Sequence, residues 1–272
     1  MTNNRTRTVL EDLERTLLQF MRKHKITHDE YRRATDIIVA TVKAGEESLL
    51  YDVFFEAEAT DIGNIGRRGS IEAIEGPFYV PNAPRLQPPF VLPQRPNEVG
   101  EVLFFRGRVT SCDGVPLPGA ELDMWQADAD GLYSNIHPGV PGWNLRGRFV
   151  CAADGTFEVR TIVPPPYEIP KDGPTGIVLN VLNRHFFRPA HLHLKVRHPQ
   201  CDELTSQLYF HGGDYLATDV ANAVRDGLVV QLVHRDNPND VAARGLHEPY
   251  FEARYDFVLA PGQTNQIRRS AP

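Results

Sequence analysis

The segment Arg188-Pro189-Ala190-His191-Leu192-His193-Leu194-Lys195-Val196 alternates apolar residues with His191, His193 and Lys195. A period of two reads as a β-strand that carries both histidines on one face. Residues two apart on a strand lie about 6.5–7 Å apart, so two imidazoles can converge on one metal ion. Two tyrosines stand in constrained loops. Tyr133 closes the run Ala127-Asp128-Ala129-Asp130-Gly131-Leu132-Tyr133, and Tyr167 follows Pro164-Pro165-Pro166 and precedes Pro170. Proline fixes φ, which preorganises a side chain beside it. A phenol ionises only near pH ~10, so a bound tyrosinate demands a strongly polarising cation. Hard anionic oxygen combined with imidazole nitrogen suits trivalent iron better than zinc or copper(I). On these residues alone two other readings stand. His191 and His193 could join a carboxylate, Glu158 or Asp123, in a facial Fe(II) or zinc site. In a non-catalytic β-sandwich binding module the same tyrosines and histidines would only pack turns.

The elements that must position these residues fall into two groups. Val9, Leu10, Leu13, Leu17, Phe20 and Met21 recur at three- and four-residue spacing and predict an amphipathic helix. Thr27-His28-Asp29-Glu30 reads as a capping box flanked by the staple pair Ile26 and Tyr31, opening a second helix that Gly45 stops. A third helix is predicted over Glu46–Ala57. Helices this short cannot bury their apolar stripes alone, so they should dock on something. From Ile71 onward the pattern becomes short strands, at Glu101–Thr110, Ala120–Ala127, Thr156–Thr161, His191–Arg197, Ser206–Phe210, Leu228–Val233 and Arg254–Leu259. Turn signals such as Asp113-Gly114 and Asp154-Gly155 separate them, which suggests a β-sandwich or barrel.

Composition narrows the function further. The 272 residues carry 29 Lys+Arg against 35 Asp+Glu, a net charge of −6, which argues against a polyanion-binding surface. No glycine-rich phosphate loop and no GxSxG elbow occurs, so nucleotide-dependent and serine-hydrolase chemistry lose ground. The three cysteines, Cys112, Cys151 and Cys201, are too few and too dispersed for disulfide stapling or a thiolate zinc site. They favour a reducing, cytoplasmic location. No run of 18 apolar residues is present, and no secretory leader is evident at the N-terminus.

Separate motifs in one order then carry a resemblance. Ile74-Glu75-Gly76-Pro77-Phe78-Tyr79, Trp125-Gln126, Asp130-Gly131-Leu132-Tyr133, Leu145-Arg146-Gly147-Arg148, Pro166-Tyr167-Glu168-Ile169-Pro170 and Arg184-His185 followed by Arg188-Pro189-Ala190-His191-Leu192-His193 span nearly the whole chain. Together they resemble the intradiol ring-cleavage dioxygenases of the catechol 1,2-dioxygenase group, including chlorocatechol and hydroxyquinol 1,2-dioxygenases. The resemblance implies a mainly β fold, with an N-terminal helical dimerisation region over residues 1–70 and a β-sandwich catalytic domain over 71–272. It implies one non-haem Fe(III) per subunit, held by Tyr133, Tyr167, His191 and His193, with Tyr167 and His193 axial. A catechol would give one proton to a metal-bound hydroxide and one to Tyr167, which then leaves the metal. Ring opening by O2 between the two hydroxylated carbons would yield a cis,cis-muconate.

Arg188 matches the arginine thought to stabilise negative charge developing on the ring, and Gln207 a residue beside the iron-bound hydroxide. Leu49, Asp52, Val53, Ile74, Gly76, Pro77, Phe78, Arg188, Val220 and Ala221 match the family's substrate-binding positions. These point in different directions. Asp52-Val53 and the short N-terminal region resemble chlorocatechol enzymes, and Ala221 resembles catechol enzymes. Trp125-Gln126 and Asp130-Gly131-Leu132-Tyr133 resemble hydroxyquinol enzymes, from which Gln207 departs. The family also implies a homodimer formed through the N-terminal helices, with room for a phospholipid in their interface.

Overall fold

The structure is a computed structural model and describes residues 3–262. It opens with α1 (Asn3–His24) and α2 (His28–Ala44). The capping box forms as predicted: the Thr27 amide donates to Glu30 Oε2 at 2.8 Å and the Glu30 amide to Thr27 Oγ1 at 3.3 Å. Gly45, at φ +69°, ends α2 in the left-handed region. The third helix differs from its prediction. It begins at Glu47 and runs to Asn64, as α3 (Glu47–Tyr51), a π-helical turn (Asp52–Glu56) and α4 (Ala57–Asn64). Ala57-Glu58-Ala59 are good helix formers, so nothing halts the helix at Ala57. Leu49, Val53 and Ala57, four residues apart, are all buried. A four-residue step overshoots an α-turn of 3.6 residues and falls short of the wider π-turn, so the combination of the two keeps these residues nearly in line.

Thirteen strands follow among the described residues: β1 (Phe90–Val91), β2 (Val102–Ser111), β3 (Glu121–Trp125), β4 (Arg146–Val150), β5 (Thr156–Ile162), β6 (Tyr167–Glu168), β7 (Phe187–Arg188), β8 (His191–Arg197), β9 (Leu204–Phe210), β10 (Val229–Val230), β11 (Leu232–Arg235), β12 (Tyr250–Arg254) and β13 (Phe257–Leu259). One sheet has the order β1-β5-β2-β12-β11, with β13 also paired to β2; the other runs β10-β9-β8-β3-β4. Two short helices, α5 (Pro174–Val181) and α6 (Pro238–Ala243), lie in the connections. The chain is thus a β-sandwich with an N-terminal helical region.

Two predicted strands are corrected. Leu228–Val233 divides into a 3-10 turn over Asp226–Leu228, β10 in one sheet and β11 in the other. Arg254–Leu259 contains only the last residue of β12, then a break, then β13. An apolar run in a sandwich satisfies either inner face, so its pattern does not reveal where it changes partner. The span assigned to the catalytic domain also includes residues 263–272, which lie outside the described residues.

The core fills the space between the sheets. Leu103, Phe105 and Val109 of β2 and Phe157 and Val159 of β5 share one apolar cluster with Leu122 and Met124 of β3 and Leu192, Leu194 and Val196 of β8. Because side chains alternate, His191, His193 and Lys195 point to the opposite face of β8. That face is covered as well: both histidines are 1% exposed. Among the described residues no helix is long and apolar enough to cross a membrane.

Candidate active site

Strand register builds one half of the site. β8 lies between β3 and β9, which sets Trp125 on one side of His193 and Gln207 on the other, and places Tyr209 beside His191. Trp125 stacks on the His193 ring at 4.7 Å between centroids. His191 Nδ1 lies 2.6 Å from the Pro189 carbonyl oxygen. A carbonyl only accepts, so Nδ1 carries the proton and the Nε2 lone pair is free. That lone pair faces His193 Nε2 at 2.9 Å. Burial and the Arg188 charge push His191 down to about 3, and burial with the neighbouring His191, Arg188 and Arg146 holds His193 well below its usual value. Both rings are therefore neutral, the form in which imidazole ligates a metal.

The tyrosines arrive from two loops. Asp128 folds the first: its Oδ1 accepts from the Asp130 and Leu132 amides, both at 3.0 Å, and its Oδ2 from Arg95 at 2.9 Å. Gly131, at φ +80°, lets this turn press on Tyr167, because a Cβ there would lie 2.8 Å from the Tyr167 Cβ. Tyr167 itself is held in β6, which pairs with β7 so that Tyr167 faces Arg188. The two phenol rings meet edge-on at 5.4 Å; Tyr133 lies 6.0 Å from His193, and Tyr167 5.5 Å from His191. Tyr133, Tyr167, His191 and His193 are thus gathered at one place. Burial raises the pKa of both phenols and so opposes their ionisation, and for Tyr133 the Tyr167 charge adds to it; Arg188 acts against this at both rings, and Arg146 at Tyr133. The buried Tyr133 hydroxyl has no hydrogen-bond partner among the described residues.

Arg188 organises the floor. Its Nε and Nη2 donate to the two oxygens of Asp219, each at 3.1 Å, and Nη2 also reaches Gln207 Oε1 and the Tyr209 hydroxyl, each at 3.0 Å. The Tyr209 hydroxyl donates to Gln207 Oε1 at 2.6 Å, and Gln207 Nε2 to the Ile74 carbonyl at 2.8 Å. Although burial opposes it, the Arg188 charge holds the Asp219 carboxyl below its ordinary value.

A cleft opens beside Tyr167 and Arg188, walled by Leu49, Asp52, Val53, Ile74, Gly76, Pro77, Phe78 and Ala221. These are the predicted substrate positions except Val220, which is buried in the apolar cluster with Leu49, Phe78 and Tyr167. Glu56 and Ile169 also line the cleft. Sequence reasoning had passed over Glu56, Asp219 and Tyr209. Glu56 follows Asp52 by four residues, a spacing that shares a helix face, and Asp219 directly precedes Val220-Ala221. The alternative carboxylate ligands lie elsewhere. Glu158, on the other sheet, is clamped by Arg244, and Asp123 is bound to Tyr79 and Arg197. Among the described residues no group of three or more His, Cys, Asp or Glu could hold a metal. The donor set present is two phenols and two neutral imidazoles, a mixture that fits a hard trivalent cation.

The family described as Dioxygenase matches residues 74–261. Chlorocatechol 1,2-dioxygenase of Rhodococcus opacus is 38% identical over 85% of this chain and 91% of its own length. The 6-chlorohydroxyquinol 1,2-dioxygenase of Cupriavidus pinatubonensis is 34% identical over 95% of this chain and 92% of its own. The crystal structure of 3-chlorocatechol 1,2-dioxygenase from Rhodococcus opacus superposes with a TM-score of 0.89 at 38% identity, covering 96% of this chain and all of that one. The chain belongs to the intradiol ring-cleavage dioxygenases of the catechol 1,2-dioxygenase group.

Proposed function

We propose that this intradiol 1,2-dioxygenase binds one Fe(III) per subunit through Tyr133, Tyr167, His191 and His193. It would act on catechol or a catechol with a small ring substituent and release a cis,cis-muconate. The observation that carries the reading is the convergence of two buried phenols, one without a partner, on two neutral imidazoles whose Nε2 atoms face each other. Without a cation, burial keeps both phenols protonated, and at Tyr133 the Tyr167 charge reinforces it. Bound Fe(III) would supply the charge that stabilises tyrosinate and would draw electron density from a chelated catecholate toward O2.

The chain's own groups supply the rest. Tyr167 borders the substrate cleft, which suits it to take a proton from an incoming catechol hydroxyl. Arg188, fixed by Asp219, Gln207 and Tyr209, presents a guanidinium to negative charge developing on the ring. Gln207, tied to both Arg188 and the Ile74 carbonyl, fixes the strap of residues 74–78 that forms one wall of the cleft. Chlorocatechol and chlorohydroxyquinol enzymes among the relatives support a ring-substituted catechol as substrate without choosing the substituent. The exposed apolar stripe of α1 supports a homodimer through the helices, an apolar interface that would admit a phospholipid, and three free cysteines favour a cytoplasmic enzyme.

Iron-loaded protein should show a broad visible charge-transfer band and consume O2 with catechol to give a muconate. Colourless iron-loaded protein, or a yellow semialdehyde product, would refute the reading.

A further inference from the structure

The π-turn brings a carboxylate to the substrate cleft whose two oxygens have different surroundings. Glu56 Oε1 accepts from the Glu75 amide at 2.9 Å and the Gly76 amide at 3.4 Å, which ties the helix to the strap beside His193. Glu56 Oε2 is buried and has no hydrogen-bond partner among the described residues. The residue lines the same cleft as Tyr167 and Arg188. A buried, unpaired carboxylate oxygen carries an uncompensated desolvation cost, and a ligand that donates to it recovers that cost. Burial and the neighbouring Asp52 raise the Glu56 carboxyl, whereas the two amides and Arg188 lower it, so the group is anchored in place and poorly solvated.

We infer that Glu56 is a specificity-determining residue of this site. Its Oε2 accepts a hydrogen bond from a hydroxyl carried on the substrate ring in addition to the two that define a catechol. The cleft accordingly selects benzenetriols over catechols bearing a halogen or a carboxylate. The inference rests on the intradiol reading above. The chemistry is differential. A ring hydroxyl gives a charge-assisted bond, a ring hydrogen leaves the oxygen unpaired, and a chlorine or carboxylate presents electron density to it.

Glu56→Gln separates the two oxygens. The glutamine Oε1 can still accept from the Glu75 and Gly76 amides, while the free position becomes an N–H donor. The experiment compares kcat/KM, by O2 uptake, for hydroxyquinol, catechol and 4-chlorocatechol with wild-type and Glu56→Gln enzyme. The wild type should favour hydroxyquinol over 4-chlorocatechol. Its hydroxyquinol-to-catechol ratio should fall in the variant by about tenfold, carried mainly by KM. An unchanged ratio, or a wild type that favours 4-chlorocatechol, overturns the inference while leaving the dioxygenase intact. A wild type that turns over none of the three overturns the underlying reading and the inference with it. Should Glu56→Gln not fold, Glu56→Asp, which keeps the charge but draws the carboxylate back, is compared in the same way, and an unchanged hydroxyquinol-to-catechol ratio there overturns the inference.

Discussion

Arg188 touches Asp219, Gln207 and Tyr209 at 3.0–3.1 Å and lies 3.5 Å from His191 Nε2, so one side chain joins the metal-type donors to the cleft. Breaking a buried ion pair is costly because the surviving charge is left unpaired, by roughly 3–5 kcal/mol. Asp219→Asn should therefore lower stability by about 3–5 kcal/mol at pH 7, measured by denaturant unfolding. The Asp219 carboxyl lies below its unfolded value of about 3.9, so its stabilisation is complete above that pH and disappears as pH falls through the folded value. The difference between wild type and variant should narrow below pH ~4, and a gap that is constant with pH would exclude this origin. Tyr167→Phe removes both a proposed ligand and the proposed base. The visible band of the iron-loaded protein should shift or weaken, and kcat should fall by on the order of 10²-fold or more. An unaltered spectrum would remove Tyr167 from the iron.

At the scale of elements, close backbone approach decides whether these side chains meet. A Cβ at Gly131 would lie 2.8 Å from the Tyr167 Cβ, in a backbone conformation that L-residues rarely adopt. Gly114 has a similar φ, +77°, but open space around it, which makes it a control. Gly131→Ala should cost about 2–3 kcal/mol and perturb the charge-transfer band; Gly114→Ala should cost about 1 kcal/mol and leave the band unchanged. Equal losses in the two variants, with neither spectrum altered, would show that the contact does not set the tyrosine geometry. The β8 strand was legible at its exact bounds because strict alternation around His191 and His193 has only one reading. The π-turn at Asp52–Glu56 was not legible, since helical periodicity cannot distinguish a widened turn from a regular one. The two-residue strands β6 and β7 were equally hidden, for they exist only through each other.

The whole molecule leaves its first helix largely uncovered. Leu13 and Leu17 of α1 are each 52% exposed and Phe20 51%, on the stripe expected to dock. Leu13→Asp/Leu17→Asp should shift a dimer toward monomer in sedimentation velocity at micromolar concentration while the β-sandwich remains folded. A wild type that is monomeric under the same conditions would exclude the helical interface. What the amino-acid order determined alone was the local and periodic part: the capped helices, the alternating strand, the constrained tyrosines, and hence the kinds of donor available. Periodicity and proline geometry act over a few residues, so they are readable along the chain. What only the tertiary structure decided was convergence. It set His193 between Trp125 and Gln207, pressed Gly131 on Tyr167, clamped Arg188 with Asp219, and brought Glu56 to the cleft with its Oε2 buried and unpartnered among the described residues. Those contacts, and the Gln207 bond to Ile74, join residues from 14 to 133 positions apart. Strand register and packing, rather than any local pattern, choose such partners.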